Sequence, residues 1–522
     1  MKYPIGIQTF EQIINNGFVY VDKTDMVYAL ATEGKTYFLS RPRRFGKSLL
    51  LSTLRAYFEG KKELFKGLKI DKLEKDWHAH RVLHIDFNGV VFTRPGALED
   101  ELDKQLSTWE EEYHLPKGTR EMYGWRFEQI VQAIYTETGR GAVVLIDEYD
   151  KPLLDVLEMD PELLNNNREI LKAFYSVFKR TDAYLRFVFL TGVTKFSQVS
   201  VFSGFNQPKD ISMYEQFEAL CGITEEELHT QFAKPIREMA QTENCTEEEI
   251  KLRLKKHYDG YHFSKQMTDI YNPFSVLNAF DSKDIRDFWF ATGTPTYLIR
   301  LMNHFNEGID ELTGREYSLD EFVNYKADTE YPLPMIYQSG YLTIKNYDRE
   351  MDMFLLDFPN NEVKRGFLAM VASNYLQSGQ PMDSWIKRAV LSLRRGQIDQ
   401  FRQMLTAFLA SIPYSMRRKD EERERERYFQ YTFYLLLRLM SVYTVYIEKE
   451  QSKGRVDCVI ETPQFVYIFE FKLDGTAAGA LQQIEDKGYA REYEADARPV
   501  HKIGVNFSSE TGTIEGWEHA IR

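Results

Sequence analysis

The chain has 522 residues, a net charge of −13, 43% apolar and 14% aromatic residues. That composition excludes a disordered chain and a generally basic nucleic-acid coat, and at roughly 150 residues per domain it leads us to expect about three domains. The N-terminus "MKYPIGIQTFEQII" has no signal-peptide pattern, the most apolar run "YTFYLLLRLMSVYTVYI" is interrupted by Arg438, and three scattered cysteines suggest no metal cluster, so the expected address is cytoplasmic.

In chain order, the first element is the strand candidate "KTYFLS", followed by the loop "RPRRFGKS" and a helix-period run "SLLLSTLRAYFEG" that stops at Gly60. Strand, loop and helix are the context in which G-x-x-x-x-G-K-[ST] binds phosphate. Gly46, Lys47 and Ser48 supply the last three positions, while Arg41 replaces the first glycine and Pro42 reshapes the turn. The free N–H groups of the helix start would face phosphate, Lys47 would reach the β- and γ-phosphates, and Ser48 would hold Mg²⁺. Arg41, Arg43 and Arg44 either add charge near the γ-phosphate or are simply solvated. The nucleotide contacts expected from this loop are Arg44, Phe45, Gly46, Lys47, Ser48 and Leu49.

About a hundred residues on, "GAVVLIDEYDKPL" is a buried-strand run ending in Asp147 and Glu148. An acidic pair at a strand tip suits an ATPase: Asp147 in the Mg²⁺ shell, Glu148 orienting and deprotonating the attacking water. The next strand, "LRFVFLTGVTKFS", offers Thr191 as a γ-phosphate sensor.

"FVYVDKTDMVYAL", "FLSRPRRFGKSLLLSTLRAYF", "VVLIDEYDKPL", "FVFLTGVTKFS" and "YDGYHFS…YNPFSVLNAF" together resemble the bacterial AAA-ATPase-like proteins. In that family the ATPase module is often fused to a C-terminal PD-(D/E)XK nuclease-superfamily domain, and the arginine-rich loop matches the family's own form of the motif. The resemblance implies ATP binding.

From residue 224, "TEEELHTQFAKPIREMA" and "TEEEIKLRLKKHYDG" read as two helices with capping boxes, and "YNPFSVLNAF" opens another after Pro273. With "FWFATGTPTYLIRLM" they form an expected helical lid on the ATPase core. His257 and His262 read as structural. "YPLPMIYQSGYLTIKNYD" with "MFLLDFPN" alternates as a hairpin does. Residues 382–416 read as helices, and "RRKDEERERERYFQ" as a solvated helix face.

The last hundred residues read as a helix "YFQYTFYLLLRLM", three strands "VYTVYIEKE", "GRVDCVIET" and "FVYIFEFKL", a helix "TAAGALQQIEDKGYAREY", and a strand "RPVHKIGVNFS". Charges inside strands cost several kcal/mol unless paired or metal-bound. Glu470 and Lys472 share one strand face at period 2, and the hairpin would set Asp457 opposite Glu470. Two carboxylates can hold a divalent ion while a lysine stabilises a phosphate under attack. This D…E-x-K pattern resembles the PD-(D/E)XK nuclease superfamily, which implies Gln483 and Tyr489 as helper residues. Glu448 or Glu426 would complete the metal site, and Asp474 reads as a turn residue.

The expected architecture is α/β: an AAA-type P-loop ATPase with a parallel sheet at 1–223, a helical lid and middle region at 224–372, a helical linker at 373–424, and an αβββαβ restriction-endonuclease-like domain at 425–522. The expected function is ATP binding and hydrolysis coupled to a Mg²⁺-dependent nuclease-like domain acting on DNA or RNA, with homo-oligomers compatible and no membrane partner. The alternative is a nucleotide-dependent switch or interaction protein whose C-terminal domain binds without cleaving.

Overall fold

The computed structural model describes residues 1–196, 208–290, 312–324, 332–376, 382–411, 444–451 and 454–522. The chain divides into two units, Met1–Lys364 and Arg365–Arg522. The helix expected over 428–440, the charge run 417–430, Glu426 and most of "FWFATGTPTYLIRLM" lie outside the described residues.

The first unit is built on strands β1 (Thr36–Ser40), β2 (Val82–Asp86), β3 (Ala142–Asp147), β4 (Leu185–Gly192) and β5 (Lys209–Asp210). They form one sheet in the order β2-β3-β4-β1-β5. Every pair is parallel. Buried on both faces, the inner strands β1, β3 and β4 are near-continuous apolar runs, as "AVVLI" in β3 shows, while the edge strands β2 and β5 are partly exposed. The crossovers include helices Lys47–Phe58, Ala97–Glu112, Tyr123–Thr138 and Pro161–Arg180. The order places β4 between β1 and β3, so the tips of the loop-bearing and acidic strands flank Thr191.

The middle region mixes helices with short strands: β6 (Ile223–Thr224) pairs with β7 (Ile270–Tyr271), and β8 (Arg315–Tyr317), β9 (Thr343–Asp348) and β10 (Met353–Asp357) form a three-stranded sheet. β9 and β10 form the expected hairpin, but the first part of the stretch read as hairpin, Leu333–Gln338, is a helix. Both capping boxes form, at Thr224/Glu227 and Thr246/Glu249. The first expected helix is two, Glu225–Gln231 and Ala233–Glu243. Pro235 has no N–H to give the carbonyl of Gln231, so the run breaks at the buried Phe232. His257 bonds Asp287 at 2.9 Å, and His262 is held between Asp269 and the Ile344 carbonyl.

The second unit carries β11 (Thr444–Gln451), β12 (Gly454–Glu461), β13 (Val466–Leu473), β14 (Val500–Phe507) and β15 (Ile514–Ile521), hydrogen-bonded in that order. β13 and β14 are parallel and the other pairs antiparallel. Helix Ala477–Lys487 covers one face, packing its Ile484 over Val456, Val459, Val466 and Ile468. Helices Met382–Arg394 and Ile398–Ala410, expected as helices of a linker at 373–424, contribute to the other face. Tyr467 donates to the Leu393 carbonyl at 2.5 Å, and Phe401 meets Phe469. β15 was not expected. Only Ile514 of its eight residues is buried, and the residues show no apolar alternation, so it reads as a tail although it pairs along β14. Asp474 does occupy a turn, at φ 52°, and fastens Ser509 through both carboxylate oxygens.

Candidate functional site: a phosphate loop and a strand-borne carboxylate pair

The loop after β1 ends at Gly46, whose φ of 97° lies in the left-handed region that glycine tolerates. The helix Lys47–Phe58 begins at once. Its second residue, Ser48, donates to Asp147 Oδ2 at 2.6 Å. Thr191 donates to Asp147 Oδ1 at 2.6 Å, and the Glu148 N–H donates to the same oxygen at 3.0 Å. Three strand and helix ends thus converge on one carboxylate that is 2% exposed. Glu148 itself sits at φ 49°, a backbone setting that bulky residues seldom adopt.

Lys47 is buried, and its ammonium donates only to the carbonyls of Arg41 at 2.9 Å and Pro42 at 3.2 Å. No carboxylate among the described residues pairs with it. A buried cation without a counter-charge is costly, and a helix start behind it suits an anion such as phosphate. Ser48 and Asp147 are hard oxygen donors of the kind Mg²⁺ takes, so the residues present fit a Mg–nucleotide.

The arginines answer to neither reading of the sequence as a group. Arg41 is 1% exposed, so it is not solvated. Its guanidinium donates to the carbonyls of Ser40 and Ser212 at 2.8 Å and, at longer range, to those of Phe217 and Glu218. It also stacks 4.1 Å over the Phe263 ring. Arg43 and Arg44 are exposed. Phe45 is buried against Tyr261 and Phe263, so its side chain serves packing. Leu49 is half-buried on the first helical turn.

In the second unit, β12 and β13 pair Cys458 with Phe469, and one step further along that register Asp457 falls opposite Glu470. There the ladder gives way to a side chain, since Asp457 Oδ2 accepts the Phe471 N–H at 2.7 Å. Glu470 is 2% exposed. Its Oε1 accepts from Gln483, and its Oε2 has no hydrogen-bond partner. Burial, then the charge of Asp457, pushes the Glu470 carboxyl up to about 8. An orphaned carboxylate oxygen beside a second carboxylate fits a divalent cation. Lys472 donates to Gln483 at 2.7 Å and lies 4.0 Å from Glu470, so one amide joins the pair. Tyr489 is buried close to Gln483. The side chain of Glu448 is outside the described residues.

Residues 4–202 match the family described as "Predicted AAA-ATPase", and residues 424–517 match the PD-(D/E)XK nuclease superfamily. A protein of Azotobacter chroococcum mcd 1, described as an uncharacterized protein in the vnfD 5' region, is 36% identical over 525 residues, spanning 99% of this chain and 98% of its own. This chain belongs to the AAA-ATPase-like family. Its C-terminal region is a PD-(D/E)XK nuclease-superfamily domain. Among solved structures, the Aeropyrum pernix ORC2 protein (ADPNP–ADP complexes) aligns at 12% identity and TM-score 0.26, covering 67% of this chain and 94% of that one. The Aeropyrum pernix ORC1 protein in complex with DNA aligns at 10% identity and TM-score 0.23, covering 91% and 95%. Scores this low bear no weight, and the fold rests on the strand order and the two family matches.

Three residues of this AAA-ATPase-like protein stand beside the site without having been singled out by sequence. Asp86 ends β2 in register with Asp147. Burial and the charges of Asp147 and Glu148 push its carboxyl up to about 6. Its signal, an apolar strand ending in Asp, is the same as that of β3. Asp150 is buried and accepts the N–H groups of Val193 and Thr194, fastening the chain after β4. Trp289 donates its indole N–H to the Arg43 carbonyl at 3.1 Å across 246 residues of chain, a contact no local pattern announces.

Proposed function

We propose that the protein binds and hydrolyses ATP at the β1 loop, and that its C-terminal domain is a metal-dependent nuclease whose action on DNA or RNA is coupled to that nucleotide. The observation that carries the nucleotide reading is the buried, unpaired Lys47 ammonium beside the Ser48–Asp147–Thr191 constellation. In this reading Lys47 and the N–H groups at the helix start bind the β- and γ-phosphates. Ser48 and Asp147 hold Mg²⁺ at the loop, and Asp457 and Glu470 hold a divalent ion in the second unit. When bound, such an ion neutralises charge developing on phosphoryl oxygens. Glu148 orients the attacking water and accepts its proton, while Thr191 reports on the γ-phosphate from the neighbouring strand tip. Lys472 stabilises charge on the scissile phosphate. Three cysteines outside any disulfide suit a reducing, cytoplasmic setting. Among the described residues no helix is long and apolar enough to cross a membrane.

The test is phosphate release and nucleic-acid cleavage by the full chain. Wild type should hydrolyse ATP with Mg²⁺, and Glu148→Gln should bind ATP without turnover. Hydrolysis at the wild-type rate by Glu148→Gln would remove that residue from its role.

One observation favours the second reading, a switch that binds nucleic acid or a partner without cutting. Lys472 and Glu470 are both tied to Gln483, a network already satisfied in part without metal. No cleavage of any DNA or RNA substrate by a wild type that binds ATP would select it.

A further inference from the structure

Each of the five residues Arg41 to Phe45 is gripped by a residue beyond position 202, where the ATPase family match ends. Arg41 lies over Phe263, Arg44 over Phe274 at 5.1 Å, and Phe45 packs on Tyr261 and Phe263. Gly340 approaches Pro42 so closely that a Cβ there would fall 2.6 Å from the proline ring. Arg43 is held by the Trp289 indole N–H. This loop lacks the first glycine of the general motif, and the middle region supplies its shape from outside.

Trp289 is the polar member of that grip, and it is anchored in turn. Its main-chain N–H donates to Glu362 Oε1 at 2.6 Å, and Glu362 Oε2 accepts from Ser275 at 2.8 Å. Trp289 and Glu362 are both buried, and Trp289 packs on Tyr341. Glu362 is the second residue of helix Asn361–Leu376, which carries the chain out of the first unit. In a planar trans peptide the C=O and the next N–H point in opposite directions. Holding the Arg43 carbonyl on the indole therefore turns the Arg44 N–H away from it.

We infer that Trp289 is a positioning residue of the nucleotide site: its indole fixes the Arg43–Arg44 peptide so that the Arg44 N–H faces phosphate, and Glu362 fixes Trp289. This rests on the nucleotide reading of the β1 loop. Because coupling is reciprocal, ATP that favours this loop shape also strengthens the Trp289 contact.

The test is ATP titration of the full chain, by calorimetry and by tryptophan emission, in wild type, Lys47→Ala, Trp289→Phe and Trp109→Phe. Phenylalanine keeps a ring against Tyr341 but loses the donor, and one neutral hydrogen bond corresponds to about a two- to tenfold loss of affinity. Trp289→Phe should bind ATP weaker by about fivefold. It should also lose the ATP-dependent emission change that wild type and Trp109→Phe retain. If Trp289→Phe does not fold, Glu362→Gln replaces it, with about a twofold loss expected because the amide remains a weaker acceptor. Wild-type affinity in a folded Trp289→Phe, or in Glu362→Gln when that variant stands in, overturns the inference alone, since Lys47→Ala still separates binding from non-binding. No saturable ATP binding by wild type overturns the nucleotide reading, and the inference with it.

Discussion

Replacing Arg41 by methionine separates a scaffold arginine from a phosphate ligand. The guanidinium gives short hydrogen bonds to the Ser40 and Ser212 carbonyls, both 2.8 Å, and longer ones to Phe217 and Glu218 at 3.3 and 3.4 Å. Methionine fills much of the same volume but leaves these acceptors bare. Each of the two short ones, buried and unpaired, costs about 1–3 kcal/mol, and losing the stack on Phe263 adds about 1 kcal/mol. Removing a desolvated charge offsets part of this, because the cation has no carboxylate partner among the described residues. The expected net loss is about 3 kcal/mol in the first unit. Urea unfolding followed by tryptophan emission reads that loss as a lower midpoint at unchanged slope. ATP affinity of the folded variant should change far less than in Lys47→Ala. Unaltered stability together with abolished ATP binding would refute this reasoning and return Arg41 to the phosphates.

Thr191→Val removes the 2.6 Å bond to Asp147 while keeping the shape, and should slow hydrolysis by more than it weakens ATP binding in a steady-state and calorimetric comparison. In the second unit, Mn²⁺ should raise the unfolding temperature of wild type and of Lys472→Ala but not of Asp457→Asn; an undiminished shift in Asp457→Asn would place the ion elsewhere. His501 and His519 share a 2.8 Å contact, and burial, then the charge of His519, pushes His501 down to about 4. The fold therefore favours neutral imidazoles, although Asp399 opposes this at His519. Stability from this pair is full above the unfolded value of about 6.5 and is lost as pH falls from there toward about 4. Chemical denaturation at pH 7 and pH 5 should show the drop, and His519→Gln should flatten it.

The legible parts of the molecule were those written in local periodicity. β1, β3 and β4 are apolar runs that end at the loop, at Asp147 and beside Thr191, and the D…E-x-K spacing puts Glu470 and Lys472 on one face by strand alternation, with Asp457 opposite through the hairpin register. What stayed hidden depends on distant chain. Arg41 looked like a phosphate ligand or a solvated charge because its acceptors lie 171 to 177 residues away, apart from its neighbour Ser40. Trp289 carries no motif of its own. β15 is an edge strand with one buried residue, so its pattern is that of a polar tail. The break at Phe232 was readable in Pro235 and was outweighed by the strong capping signal at Thr224.

If the β1 loop is a nucleotide site built around Lys47, ATP binding must depend on that ammonium. Equilibrium binding of ATP with Mg²⁺ to the full chain, compared between wild type and Lys47→Ala with both shown to be folded by circular dichroism, tests it most directly. Saturable binding near one ATP per chain is expected in wild type and none in Lys47→Ala. Equal binding by the two proteins would contradict it.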